Sequence, residues 1–385
     1  MRTHTIRPAS AVALAAVLSI LALTGARAAP SMTGPARAPS ARPQVAYVVS
    51  LDANTVTPIN TVTNKAGPPI KVGVNPNAIA ITPNGKTAYV TNSGSDTVTP
   101  ISTGTNKAGP PIKVGRQPAF IVITPGGKTA YVSSGNGTVT PISTATDKPG
   151  APIRIAGAGD LAITPDGKTL YAASSNGTVT PISTATNKPG TAIKVGKTAG
   201  YIAITPNGRT AYVTIWNFYA DTVRPINTAT NKAGKPIKVG TDPGAIVMTP
   251  NGKTAYVACF HAQYPVAQGT VWPINIAAGK AGKPIKVAGF PTHFAVTPDG
   301  TTVYVTTGQN VTPIRTSTSA GGRPFPAGSG PWAIALTASG AAGYVTDDGT
   351  GSQPGNTVTP FRTKTGTTGQ PIKVGLGPVA IALTP

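Results

Sequence analysis

The chain has no glutamate, one cysteine and three histidines among its 385 residues. Each shortage excludes something. General acid–base catalysis draws mostly on histidine and paired carboxylates, and here all ten acids are aspartates. With Cys259 alone, no intramolecular disulfide can form, so packing and strand pairing must hold the fold. No GxSxG, HExxH, CxxC or phosphate-loop pattern occurs. Helix signals are missing beyond the first thirty residues, while Gly, Pro and Thr recur at short intervals, which favours an all-β fold. No apolar run or anchoring tail follows the N-terminal segment.

That segment reads as a secretory signal over residues 1–28. Arg2 and Arg7 precede an apolar run broken by Ser19, and Ala26-Arg27-Ala28 ends it with small residues around the cleavage point. The run is short beside the ~20 residues of a spanning helix. Residues 29–44, rich in Pro, Ala and Arg, lack the apolar content to fold and read as a flexible leader. The remainder, 45–385, is expected outside the cytoplasm, secreted or periplasmic, with no membrane anchor after processing and as a monomer.

Within it one unit recurs, best seen in residues 78–115. Residues 78–83 form an apolar strand and Asn84-Gly85 a turn. Residues 87–92 (TAYVTN) form a second strand and 97–102 (TVTPIS) a third. The fourth, 111–114 (PIKV), follows a turn at Asn106-Lys107-Ala108-Gly109. A four-stranded unit of roughly 40–45 residues in tandem marks a β-propeller blade. The second-strand tyrosine occurs eight times, from Tyr47 to Tyr344, and so does the first strand, from Ala78 to Ala380. The chain starts on a second strand with no first strand before it, and ends on a first strand with no second strand after it. The ends are therefore expected to share a blade, giving eight blades; seven with a displaced end piece is the alternative. The tyrosines and the Ile79 and Ile81 equivalents are expected between blades. A proline in every third strand, such as Pro100, should make the fourth strand pair irregularly.

The wording YVTN, then TVTPI, then KVG resembles the YVTN-family β-propeller repeat proteins over nearly the whole chain after the leader. The resemblance implies the propeller fold and an envelope or extracellular setting. Related propeller lyases use histidine and glutamate with a metal; this chain departs from them in having no glutamate.

Spacing separates framework from variation. From proline to the next tyrosine the gap is 30 or 31 residues, whereas from tyrosine to proline it runs from 9 to 17. Length varies in the second-to-third connection, and variable loops commonly carry function. Those connections share a face, here the top, with the fourth-to-first connections. The longer ones carry Trp216 and Tyr219, then His261 and Tyr264, then Asp347 and Asp348. At the start of the first strand, Phe120, Asp160, Tyr201 and His293 replace alanine, and Trp332 lies one place earlier. This top mouth is the expected ligand site of a binding or scaffold module. A lyase or hydrolase site there is the competing reading, and loop-closing packing the plain one.

The bottom should carry Lys86, Lys128, Lys168 and Lys253 after the first hairpins, with a second lysine series in the third-to-fourth turns. The chain's net charge is +22, or +19 without Arg2, Arg7 and Arg27. Such a field could attract an envelope polyanion or nucleic acid, or simply keep the surface solvated. No cofactor is expected. Cys259, His261 and His293 are the soft ligands a metal could use, but an ordinary buried role for Cys259 competes, and no metal site is assigned.

Overall fold

The computed structural model describes residues 44–216, 221–260, 268–350 and 353–385. The signal and leader expectations for 1–43 lie outside these residues, as do Tyr219, His261 and Tyr264. The described chain is all β-strand and turn, in eight antiparallel sheets. It is an eight-bladed β-propeller, so the seven-bladed alternative falls. Among the described residues no helix is long and apolar enough to cross a membrane.

Blade 2 shows the pattern. Its first strand is Pro76–Ile81, its second Thr87–Asn92 and its third Thr97–Ser102. The fourth is split into Lys107–Ala108 and Ile112–Lys113, which pair with opposite ends of the third. The break lies opposite Pro100. Proline has no N–H to give the fourth strand, but its carbonyl still accepts a bond from Gly109 N at 2.7 Å. The expected irregularity is thus a clean interruption, repeated from blade to blade.

The ring closes through blade 1. Val45–Ser50, near the start, pairs antiparallel with Pro378–Leu383, at the end, in the register Tyr47↔Ala382 and Val48↔Ile381. Gln44 reinforces the seam: its Nε2 donates to Thr384 O and its Oε1 accepts from Ala338 N at 3.0 Å. Each hairpin glycine also lies against a proline of the preceding hairpin: Gly127 against Pro83, Gly167 against Pro125, and Gly85 against Pro385. The C-terminal proline thereby completes the bottom ring.

In that hairpin only glycine is left-handed, with φ of 68° at Gly85. Asn84 needs no positive φ. Its Oδ1 instead accepts from Thr82 Oγ1 at 2.7 Å and Lys86 N at 3.0 Å, which is why aspartate serves equally at 166 and 299. Both aspartates are held below the usual carboxylate range, first by the Thr164 or Thr297 hydroxyl and then by a backbone N–H.

Apolar clusters fill the seams between blades. The one between blades 1 and 2 contains Tyr47, Val49, Ile79 and Val90. Each fully buried tyrosine or isoleucine contributes roughly 1.5–3 kcal/mol. The tyrosines do more than fill space. The Tyr47 hydroxyl donates to Asn106 Oδ1 of the next blade at 2.6 Å, Tyr131 to Asn187 at 2.7 Å, and Tyr171 to Asn231 at 2.7 Å. The acceptor is the left-handed residue of the third-to-fourth turn, with φ near 55° at Asn106. One residue therefore both turns the chain and latches neighbouring blades. The corresponding turn position opposite Tyr212 is Gly279, which has no side-chain acceptor.

The KVG glycine also has a steric cause. A Cβ on Gly115 would stand 2.7 Å from Ser134 Cβ, and one on Gly240 2.9 Å from Cys259 Cβ. The last residue of the next second strand needs that space.

Candidate functional site

The first strands of successive blades stand side by side around the central channel. Their top ends follow the fourth-to-first connections. There the pairing with the second strand shifts register, for example between Ala158 and Leu161, between Ala199 and Ile202, and between Pro291 and Phe294. Asp160, Tyr201 and His293 all fall in these irregular stretches. Such bulges re-aim side chains. The backbone N–H groups are satisfied by second-strand threonines: Tyr201 N donates to Thr214 Oγ1 at 2.9 Å, and His293 N to Thr306 Oγ1 at 3.1 Å.

The replacements for alanine gather into two groups. The first spans blades 3 to 5. Phe120 and Tyr201 come from blades separated by one, yet their rings meet edge to face at 6.4 Å and 77°. The intervening blade supplies Asp160. Its carboxylate is buried, and Oδ2 accepts from Ile202 N of the next blade at 2.8 Å. Burial pushes Asp160 up to about 7, against opposing hydrogen bonds from the Ile202 and Leu161 amides. Burial, and then the nearby Asp160 carboxylate, raise the Tyr201 phenol well above its ordinary value. Trp216 lies at the edge of this group, its Cβ beside Gly200, with half its surface exposed.

The second group lies in blades 7 and 8. His293 is buried, and its ring sits 5.2 Å from that of Trp332. Thr306 Oγ1 donates to Trp332 O at 2.8 Å and ties the two blades together. Phe290 is an exposed aromatic on the same face, 6.3 Å from Phe260; in sequence it is one unremarkable residue of a connection, and only the ring contact draws attention to it.

The paired aspartates separate. Asp347 is buried at the end of a second strand, and its Oδ2 accepts from Thr357 and Thr359 at 2.7 and 2.9 Å. A side chain on Gly328 would collide with its carboxylate. Burial raises Asp347 to about 6. The equivalent Asn92 donates to Thr97 and Thr99 in the same way, so Asp347 serves its own blade. Asp348 is raised by burial and then by Asp52 across the closing seam. Cys259 is fully buried beside Gly240, and burial pushes its thiol to about 12, so it fills the position that Asn92 or Ser134 fills elsewhere. Among the described residues no three His, Cys, Asp or Glu side chains group as metal ligands.

Lys86, Lys128, Lys168 and Lys253 are exposed on the first hairpins, around the bottom. A cavity of about 260 Å³ opens at the closing seam where blade 8 meets blade 1, lined by Ala53, Thr55, Thr57, Pro69, Lys373 and Gly375.

No family model matches the chain, and no curated protein matches it. Solved structures do. Hydrazine synthase from Kuenenia stuttgartiensis is 20% identical, with a TM-score of 0.60 over 78% of this chain and 95% of that one. The dihydro-heme d1 dehydrogenase NirN, solved with DHE, is 13% identical, with a TM-score of 0.74 over 88% of this chain and 74% of that one. A functionally unknown protein from Desulfotomaculum acetoxidans is 18% identical, with a TM-score of 0.62 over 88% and 98%. The propeller fold is what these likenesses share. The YVTN resemblance remains one of repeat wording.

Proposed function

We propose that this propeller is an exported binding module that takes a small ligand at the top mouth of its channel. One observation carries the reading. At a position that is alanine in four blades, three consecutive blades place Phe120, Asp160 and Tyr201 together. An aromatic edge-to-face pair offers an apolar wall, and the Asp160 carboxyl offers one oriented polar group. Ligand sites combine these two features. A ring-bearing ligand with a hydrogen-bond donor or an amine fits this chemistry. Export rests on the residue pattern of 1–28, and purified secreted protein beginning near residue 29 is the expected product.

The test is a ligand-observed NMR screen of aromatic amines and pyranosides against the whole protein. Hits should lose binding in Tyr201→Ala and Phe120→Ala and keep it in Trp332→Phe. Hits indifferent to Tyr201 and Phe120 would move the site elsewhere.

Catalysis at the same mouth is the second reading, favoured by Asp160, which titrates near 7 and could act as a general acid. Solved neighbours of this fold include enzymes. A pH–rate profile that loses its Asp160 limb in Asp160→Asn would establish it.

A further inference from the structure

The lysines that the sequence divides between two ends of each blade come together on the outer wall. The Ile70–Lys71 piece of blade 1 lies within 8 Å, Cα to Cα, of the Lys107–Ala108 piece of blade 2. Ile112–Lys113 of blade 2 approaches Lys148–Pro149 of blade 3 in the same way, and Lys238 of blade 5 approaches Lys280 of blade 6. The twist of each blade causes this: the top of one fourth strand leans toward the bottom turn of the next. Each of these lysines is exposed. The series begins where the chain ends meet, with Lys373 beside Lys65, and includes Lys194 beside Lys232. It stops after blade 6. Lys286 faces Ala320, and the next seam has Phe325–Pro326 in place of Ile-Lys. The result is an arc of paired cations, not a closed ring. On this wall the described ion pair is Lys238 with Asp221, at 3.4 Å.

We infer that this arc is a track for a flexible, linear polyphosphate-type chain, independent of the ligand at the mouth. The curvature decides against a flat partner, because a planar anionic surface could touch only a seam or two at once. A stiff duplex would meet the same limit. Among the described residues the exposed large aromatics, Trp216 and Phe290, belong to the top face, and neither gives the wall a stacking platform for bases. Apart from Arg154 at the corresponding place of blade 3, the cations are lysines, point charges without the bidentate fork of arginine, which suits a repetitive phosphate chain. Binding then releases counterions, and affinity depends steeply on salt.

The test uses the whole protein and long-chain sodium polyphosphate, titrated calorimetrically across a salt series. Tripolyphosphate, duplex DNA and anionic phosphatidylglycerol vesicles serve as comparators. Long-chain polyphosphate should bind at least about 100-fold tighter than tripolyphosphate, with a linear log–log salt dependence. The variant with Lys71, Lys107, Lys113 and Lys148 all changed to Gln should lose about 100-fold and flatten the slope by about 3, at roughly 0.7 per phosphate contact. A charge-matched variant, with Arg315, Arg323, Arg362 and Lys364 changed to Gln on blades 7 and 8, should lose less than about threefold. Equal losses in the two variants would show a general effect of net charge and overturn the arc. So would absence of binding by the parent at low salt, or duplex DNA or vesicles binding as tightly as the flexible chain. Tyr201→Ala should bind polyphosphate as the parent does, which keeps this result separate from the fate of the mouth.

Discussion

Replacing Asp160 by asparagine should make the protein more stable at pH 8 than at pH 4, relative to the parent. The carboxyl titrates at about 7 in the folded chain against an ordinary 3.8. An acid raised by burial keeps its proton in the folded state, and not in the unfolded one, between those values. The unfolded state therefore binds fewer protons in that window, and stability falls as pH rises from about 4 to about 7, then levels. A difference of about three units, at 1.36 kcal/mol each, amounts to on the order of 4 kcal/mol. Asparagine retains an oxygen for the Ile202 N–H and has no charge to bury, so it escapes the loss. Denaturant titrations of both proteins at half-unit pH steps would yield the difference directly, and common contributions from Asp166 and Asp299 cancel in it. A parent-to-variant gap that stays flat from pH 4 to 8 would refute a buried, neutral Asp160.

Deleting the final first strand, residues 378–385, should cost several kcal/mol, the burial of three or four apolar side chains, and leave two open strand edges. Unchanged melting and a monomeric profile in light scattering would contradict the closure. Tyr131→Phe removes the hydroxyl bond to Asn187 and should cost about 1 kcal/mol, whereas Tyr212→Phe should cost almost nothing. Gly279→Asn, at a φ of 60° with open space around it, should add the missing latch and gain up to about 1 kcal/mol; a loss by thermal unfolding would count against the latch. Gly115→Ala should destabilise by about 1–3 kcal/mol, because Ser134 occupies the space a methyl would need.

The framework was legible because its signals repeat. Eight tyrosines, eight prolines and a constant gap define blades, and the unmatched end strands define the closure. The tyrosine latch was hidden in that same repetition. Asn106 reads as a turn residue, and nothing local says that its carboxamide faces a tyrosine some sixty residues earlier. The mouth was half legible. Departures from alanine flagged Phe120, Asp160, Tyr201 and His293, but only the ring contacts show that the aromatics pair off, Phe120 with Tyr201 and His293 with Trp332. Asp347 was legible only as a departure from the repeat. Beside Asp348 in a lengthened connection it reads as a ligand group of the top face, yet the structure buries it against Thr357 and Thr359. The lysines at the tops of the fourth strands, such as Lys71 and Lys113, carried no signal of their own, since the blade twist that brings them beside the turn lysines has no sequence marker.

The claim that most needs a direct reading is occupancy of the mouth. The decisive measurement is the structure of the whole protein soaked with the best ligand of the NMR screen. The account expects density packed against the Phe120 and Tyr201 rings, with a polar atom of the ligand within hydrogen-bond distance of the Asp160 carboxyl. Density at the closing-seam cavity or against the outer wall, with none against Phe120 and Tyr201, would contradict it.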